Sequence, residues 1–171
     1  MNKVLVTERV QRVTYAIRDV VLAANEVEKS GKKIIKLNIG DPNAYDFDTP
    51  QYVQDALINA VKSRKGFYSD SQGLPELRKA VSEANQRDGI DCIPEDVVVT
   101  TGLSEATNML LASLVSPGDN IVMPSPVYPQ YDSLTQFYDG QIRFYDCIES
   151  EDWRPDVDDL RKQVDGRTRA I

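Results

Sequence analysis

The chain has 171 residues, with 20 lysines and arginines against 27 aspartates and glutamates, two cysteines and no histidine. That length fits one sizeable core, and 41% hydrophobic with 27% charged residues excludes a largely disordered chain. The net charge of −7 argues against a nucleic-acid partner, and without histidine these residues complete no Ser-His-Asp or Cys-His nucleophile system and no HExxH or Cys/His zinc site.

Cys92 and Cys147 form no CxxC pair and read as free thiols of a reducing compartment. The first 19 residues are charged throughout and lack the apolar core of a secretory signal. Nothing elsewhere approaches the roughly 20 apolar residues of a membrane span. The expectation is a cytoplasmic protein with no membrane partner.

In chain order, residues 10–29 predict an amphipathic helix with Val13, Ile17, Val20 and Val21 on one face, ending before Gly31. The apolar run 34–39 predicts a strand stopped by Gly-Asp-Pro at 40–42. Thr49 and Pro50 read as an N-cap and first helical position, followed by Val53, Ala56, Leu57, Ala60 and Val61 at helical spacing. Residues 66–73 read as a loop. Pro75 then opens a helix with Leu77, Ala80, Val81 and Ala84 as its buried stripe.

Beyond residue 96 strands and helices alternate. The β-branched run 97–100 predicts a strand covered on both faces, and Gly102 begins a helix lined by Ala106, Met109, Leu110 and Leu114. A turn at 117–119 leads to a buried strand at 121–123, a proline-rich loop, a helix near 128–138 and a strand at 141–145. Val157, Leu160 and Val164 mark a last helix capped near Asp156, and residues 169–171 read as a strand just beginning. This alternation implies an α/β fold of three layers, helices on both faces of a mostly parallel sheet. An end inside a strand predicts that the chain is part of a longer protein.

Two junctions concentrate chemistry. At 97–111 a strand ends in Thr-Thr-Gly and a helix starts at once. The first-turn amides of a helix have no intrahelical acceptor, and its dipole presents positive charge, so a phosphate fits there. Gly102 would let the backbone approach closely and Ser104 would add a hydroxyl; a plain strand-to-helix turn capped by Ser104 fits equally well. Gly-Leu-Ser-Glu-Ala also resembles a nucleophile elbow, but a hydrolase using Ser104 would need a histidine. There is no GxGxxG and no P-loop. At 124–131 three prolines stiffen a loop that presents Tyr128 at the carboxyl edge of the sheet, placed either to stack on a planar ligand or to cover the sheet end with Tyr131.

Five segments in order, LNIGDP (37–42), FYSDSQGLPELRKAV (67–81), VVVTTGLSEA (97–106), PGDNIVMPSPVYPQY (117–131) and DWRPDVDDLRKQVDGRTRAI (152–171), resemble the N-terminal part of a fold-type I, pyridoxal-phosphate (PLP) dependent aminotransferase of class I/II. With YAIRD at 15–19, the first and last are most similar to the alanine (glutamate–pyruvate) subgroup. The resemblance implies PLP as cofactor, an N-terminal arm with a substrate-side loop at 1–48, and the first half of the PLP-binding large domain at 49–171. Gly102, Leu103 and Ser104 match the phosphate-cradling turn, and Tyr128 the aromatic stacked on the pyridine ring. Tyr68 matches the tyrosine that reaches the phosphate of a neighbouring subunit in a homodimer. Gly40 matches the glycine whose backbone lies against the substrate carboxylate, and Tyr15 and Arg18 would line the substrate mouth. The family's cofactor-bonding lysine, pyridinium aspartate and carboxylate arginine belong beyond Ile171, so no catalytic residue is assigned and these residues alone are expected to be inactive. The expected partners of the full-length enzyme are L-alanine or glutamate and a 2-oxo acid. A lyase or synthase on the same fold, or a non-catalytic regulator module, would share these motifs.

Overall fold

The computed structural model describes residues 5–13, 16–38, 40–45 and 47–171, with side chains omitted at 16–18. The chain divides into two compact units, one of residues 1–34 with 101–171 and the other of residues 35–100.

The first unit is built around a buried strand. Strand β1 (Asn120–Ser125) buries Asn120, Ile121 and Val122 completely or nearly so. Helix α6 (Pro129–Phe137) leads to β2 (Gln141–Ile148), which pairs parallel with β1 in a register that sets Asn120 opposite Gln141 and Ser125 opposite Asp146. A two-residue strand β3 (Arg154–Pro155), absent from the sequence expectation, turns back antiparallel along the end of β2. Helix α7 (Val157–Gln163) then carries the chain to β4 (Thr168–Ala170), parallel to β1 on its other side. The order β3-β2-β1-β4 is the expected mostly parallel α/β sheet, with β1 between two parallel neighbours. As expected, Asp156 caps α7, its carboxylate accepting from the Asp158 and Asp159 amides at 3.0 and 2.9 Å.

Helix α5 (Gly102–Leu114) packs on this sheet through a different face from the one its sequence predicts. Thr107 and Leu111 are buried, and Leu111 joins Val115 and Ile121 in a core flanked by Met123, Leu134, Tyr138, Ile142 and Ala170. Met109, Leu110 and Leu114 are exposed, because the partner surface in this unit lies along the Thr107–Leu111 side.

A polar clamp closes the amino ends of three strands. The Asn120 amide donates to Asp165 Oδ1 at 2.9 Å and its carbonyl accepts from Thr168 Oγ1 at 2.8 Å. Asp165 Oδ1 also accepts the Arg167 amide at 2.8 Å, while Oδ2 pairs with Arg143 on β2 at 2.7 Å. The Arg167 N–H, then the Asn120 amide, then Arg143 hold the Asp165 carboxyl down to about 2. Beside it Arg169 pairs with Asp119 at 3.0 Å and, as the largest cause, holds that carboxyl below its ordinary value.

The expected helix over 10–29 is two helices, α1 (Glu8–Arg12) and α2 (Ala16–Lys29), because Val13 is extended. No residue of α1 is buried. Two of its arginines reach Asp139 beyond α6, Arg12 at 2.6 Å and Arg9 at 3.5 Å, and Arg9 lies 5.3 Å from the Phe137 ring centroid.

The second unit carries α3 (Gln51–Lys62) and α4 (Pro75–Arg87). Pro75 is the first residue of α4 as predicted, whereas Pro50 rather than Thr49 occupies the N-cap position of α3. Helix α4 is turned relative to its pattern. Leu77, Ala80 and Val81 are exposed, and the polar side packs instead: Ser82 Oγ and Gln86 Nε2 each donate to the Cys92 carbonyl at 2.7 Å, and Arg78 donates to Pro94 O at 3.2 Å. The inward side is thus fixed by carbonyls of the following turn that require donors.

Neither predicted strand in this unit forms a ladder. Described residues of 34–39 are irregular, with Ile39 outside the described residues. Residues 97–100 are extended with Val98 49% exposed, and the Val99 amide donates to Gln72 O at 2.8 Å in the 66–73 loop. Extended propensity needs a ladder of backbone bonds to become a strand, and among the described residues neither segment belongs to one. Gly73 closes that loop at φ +103°, and a Cβ there would stand 2.5 Å from Val99 Cγ2 and 2.6 Å from its Cβ.

Two outcomes are expected. The Asp165 carboxylate stabilises the fold fully above its ordinary 3.8, and that contribution is lost as pH falls toward 2. The melting temperature should therefore fall more steeply between about pH 4 and pH 2 in the wild type than in Asp165→Asn; parallel profiles would contradict this. Gly73→Ala should lower stability by about 1–2 kcal/mol in urea unfolding, through the left-handed backbone and the Val99 collision.

Candidate functional site

Strand β1 is where the sheet's connections diverge, to β2 on one side and β4 on the other. In open α/β sheets, ligands bind beyond the carboxyl end of such a strand. Beyond Ser125 the chain runs through a cis Ser125–Pro126 peptide to Tyr128, the N-cap residue of α6, extended at φ −66° and ψ 123° as a residue before proline should be. Tyr128 is about half exposed and meets Tyr131 edge-on, with ring centroids 6.4 Å apart.

The start of α5 lies at this same end. Ser104 Oγ donates to Gln130 Oε1 at 3.1 Å, and further along Tyr138 Oη donates to Asn108 Oδ1 at 2.8 Å. These two bonds set α5 beside α6 with their first turns together. Three of the expected site residues therefore open one helix: Gly102 at φ +77° with open space where a Cβ would project, Leu103 largely exposed, and Ser104. Glu105 closes the entry by accepting the Thr101 amide at 2.5 Å. The Leu103 and Ser104 amides are first-turn donors without an intrahelical acceptor.

This donor set fits a phosphate: amides along a helix dipole, a hydroxyl, and a glycine that leaves the approach open. The exposed Tyr128 beside it fits a planar ring. The site therefore suits PLP by the chemistry of its donors. Ser104 has an amide partner, and a carboxamide is no general base.

Tyr68 and Gly40 belong to the second unit, where Tyr68 is fully exposed and Gly40 borders a cavity of ≈ 370 Å³ with Asp41, Pro42, Tyr45 and Phe47. Tyr15 and the Arg18 side chain lie outside the described residues. Sequence reasoning missed Gln130 and Glu105. Gln130 lies in the 117–131 segment but has no role there that its own sequence neighbours reveal, and Glu105 follows Thr101 by four residues, one more than a capping box allows.

The family profile described as aminotransferase class I and II matches residues 32–171. The chain belongs to that family. Over its full length this aminotransferase chain is 35% identical to the glutamate-pyruvate aminotransferase AlaA of Escherichia coli, and it covers 42% of that protein. Against the alanine aminotransferase of Mycobacterium bovis it is 35% identical over 95% of the chain and 38% of the relative. The solved alanine aminotransferase of Pyrococcus furiosus superposes with a TM-score of 0.90 and 48% identity, covering 96% of this chain and 42% of that one. The chain thus spans about two fifths of the length of the relatives it matches. Among the described residues no helix is long and apolar enough to cross a membrane.

Glu105→Ala should lower the stability of the first unit by about 0.5–1 kcal/mol, since it removes an exposed acceptor from the Thr101 amide. Urea unfolding checks this, and an unchanged midpoint would show that water replaces the carboxylate at no cost.

Proposed function

We propose that the full-length protein is a PLP-dependent aminotransferase moving an amino group between L-alanine or glutamate and a 2-oxo acid. The observation that carries this reading is the whole-chain similarity to alanine and glutamate-pyruvate aminotransferases; the bond from Ser104 to Gln130, two residues after Tyr128, supports it.

When bound, PLP supplies the electron sink that lets the amino group leave one carbon skeleton and join another. This chain's residues do the holding. The Leu103 and Ser104 amides and the Ser104 hydroxyl bind the phosphate, Gly102 keeps the approach clear, and Tyr128 fixes the ring plane. Tyr68 serves the phosphate of a second subunit, making the enzyme a homodimer. Gly40 gives the substrate carboxylate access to backbone, with Tyr15 and Arg18 at the mouth. Residues 1–48 form the arm and substrate-side loop, and residues 49–171 the first half of the PLP-binding domain. The reaction belongs to the cytoplasm, where both amino and 2-oxo acids are at hand. The 171 residues alone are expected not to transaminate.

The test is an absorption spectrum of the protein expressed from its uninterrupted gene, before and after L-alanine. The expected result is a visible cofactor band that bleaches with alanine and returns with 2-oxoglutarate. A band indifferent to every amino acid tried would favour a lyase or a regulator module. No band with excess PLP would overturn the reading.

A further inference from the structure

We infer that Gln130 is a positioning residue for the cofactor phosphate, acting through Ser104 by rotation of its side-chain amide; this rests on the reading of Ser104 as a phosphate ligand. Helix hydroxyls commonly turn back on their own helix. In α5 and α6, Thr107, Ser113, Ser133 and Thr135 all do so, donating to the carbonyl four residues earlier at 2.9, 2.8, 3.0 and 2.7 Å. Ser104 instead donates to another element, across to Gln130 Oε1 at 3.1 Å.

That bond engages the one proton Ser104 has, so in this arrangement Oγ offers a phosphate only lone pairs. The Gln130 Nε2 group makes no hydrogen bond to any described residue. Turning the amide by half a revolution exchanges the two ends. Nε2 then donates to Ser104 Oγ, and the hydroxyl proton swings to a phosphate oxygen. The count of hydrogen bonds rises by one and no proton changes owner. Without phosphate the carboxamide oxygen shields the hydroxyl; with phosphate the same side chain supports it as a donor. A carboxylate at 130 could only accept and would add like charge beside the phosphate.

The experiment titrates PLP, and separately unphosphorylated pyridoxal, into cofactor-free protein expressed from its uninterrupted gene. The variants are Gln130→Met, Gln130→Glu, Ser104→Ala and the Ser104→Ala/Gln130→Met double. Expected is a loss of PLP affinity of about three- to ten-fold for Gln130→Met and a larger loss for Gln130→Glu, with pyridoxal affinity unchanged in Gln130→Met. In the Ser104→Ala background Gln130→Met should add less than about two-fold. A loss shared by PLP and pyridoxal would mark a merely structural role and overturn the proposal. So would PLP affinity held within about two-fold in Gln130→Met while Ser104→Ala weakens it. An unaffected Ser104→Ala would instead overturn the phosphate reading on which this rests. Should Gln130→Met fail to fold, the near-isosteric Gln130→Glu decides alone: equal or tighter PLP binding than wild type refutes the proposal.

Discussion

Asn120 is the residue on which the geometry of the first unit depends. It is the opening residue of the central strand and is 1% exposed, so both ends of its amide must find partners inside the protein. The two partners, Asp165 and Thr168, lie at and just before the start of β4, and Asp165 in turn engages Arg143 on β2. A single buried amide therefore ties three parallel strands at their amino ends. Losing one partner would leave a desolvated polar group, a cost that falls on the alignment of all three strands at once.

That arrangement divides the sheet by task. The amino ends are fully engaged with one another, through carboxylates held ionised by arginines and amides. At the carboxyl end of β1 stand the first-turn amides of α5, the Ser104 hydroxyl held by Gln130, and the half-exposed Tyr128 ring. A rigid lower edge allows the upper edge to stay open to a ligand without loosening the helices that frame it, since α5 and α6 are joined to each other by Ser104–Gln130 and Asn108–Tyr138.

How much of this was legible depended on whether the information was local. The strand at 121–123, the Pro75 helix start, the Asp156 cap and the extended Tyr128 follow from backbone rules confined to a few residues, and the structure has them. Facing directions are not local. Helices α4 and α5 each carry a clear apolar stripe, yet Leu77, Val81, Leu110 and Leu114 are exposed while Ser82 and Thr107 are buried. A stripe records which side prefers an apolar neighbour, and the neighbour itself is a property of other segments. The same applies to 97–100, where β-branched composition predicts extension correctly but cannot supply a ladder partner. For the proposed site, Gly102, Leu103, Ser104 and Tyr128 were expected from junctions and family likeness. Gln130 was not, because its significance comes from a serine 26 residues away.

The two arginines that reach Asp139 have a consequence of another kind. Helix α1 buries no residue, so it is held to the first unit by surface charge and one cation–aromatic contact, whereas the sheet is held by buried apolar side chains. Those two kinds of adhesion respond differently to the solvent. The screening length shrinks from about 8 Å at physiological ionic strength to about 3 Å at 1 M salt, which weakens the clasp and leaves the core untouched. The attachment of α1 is thus more sensitive to ionic strength than the apolar core is, and its occupancy is set by the medium.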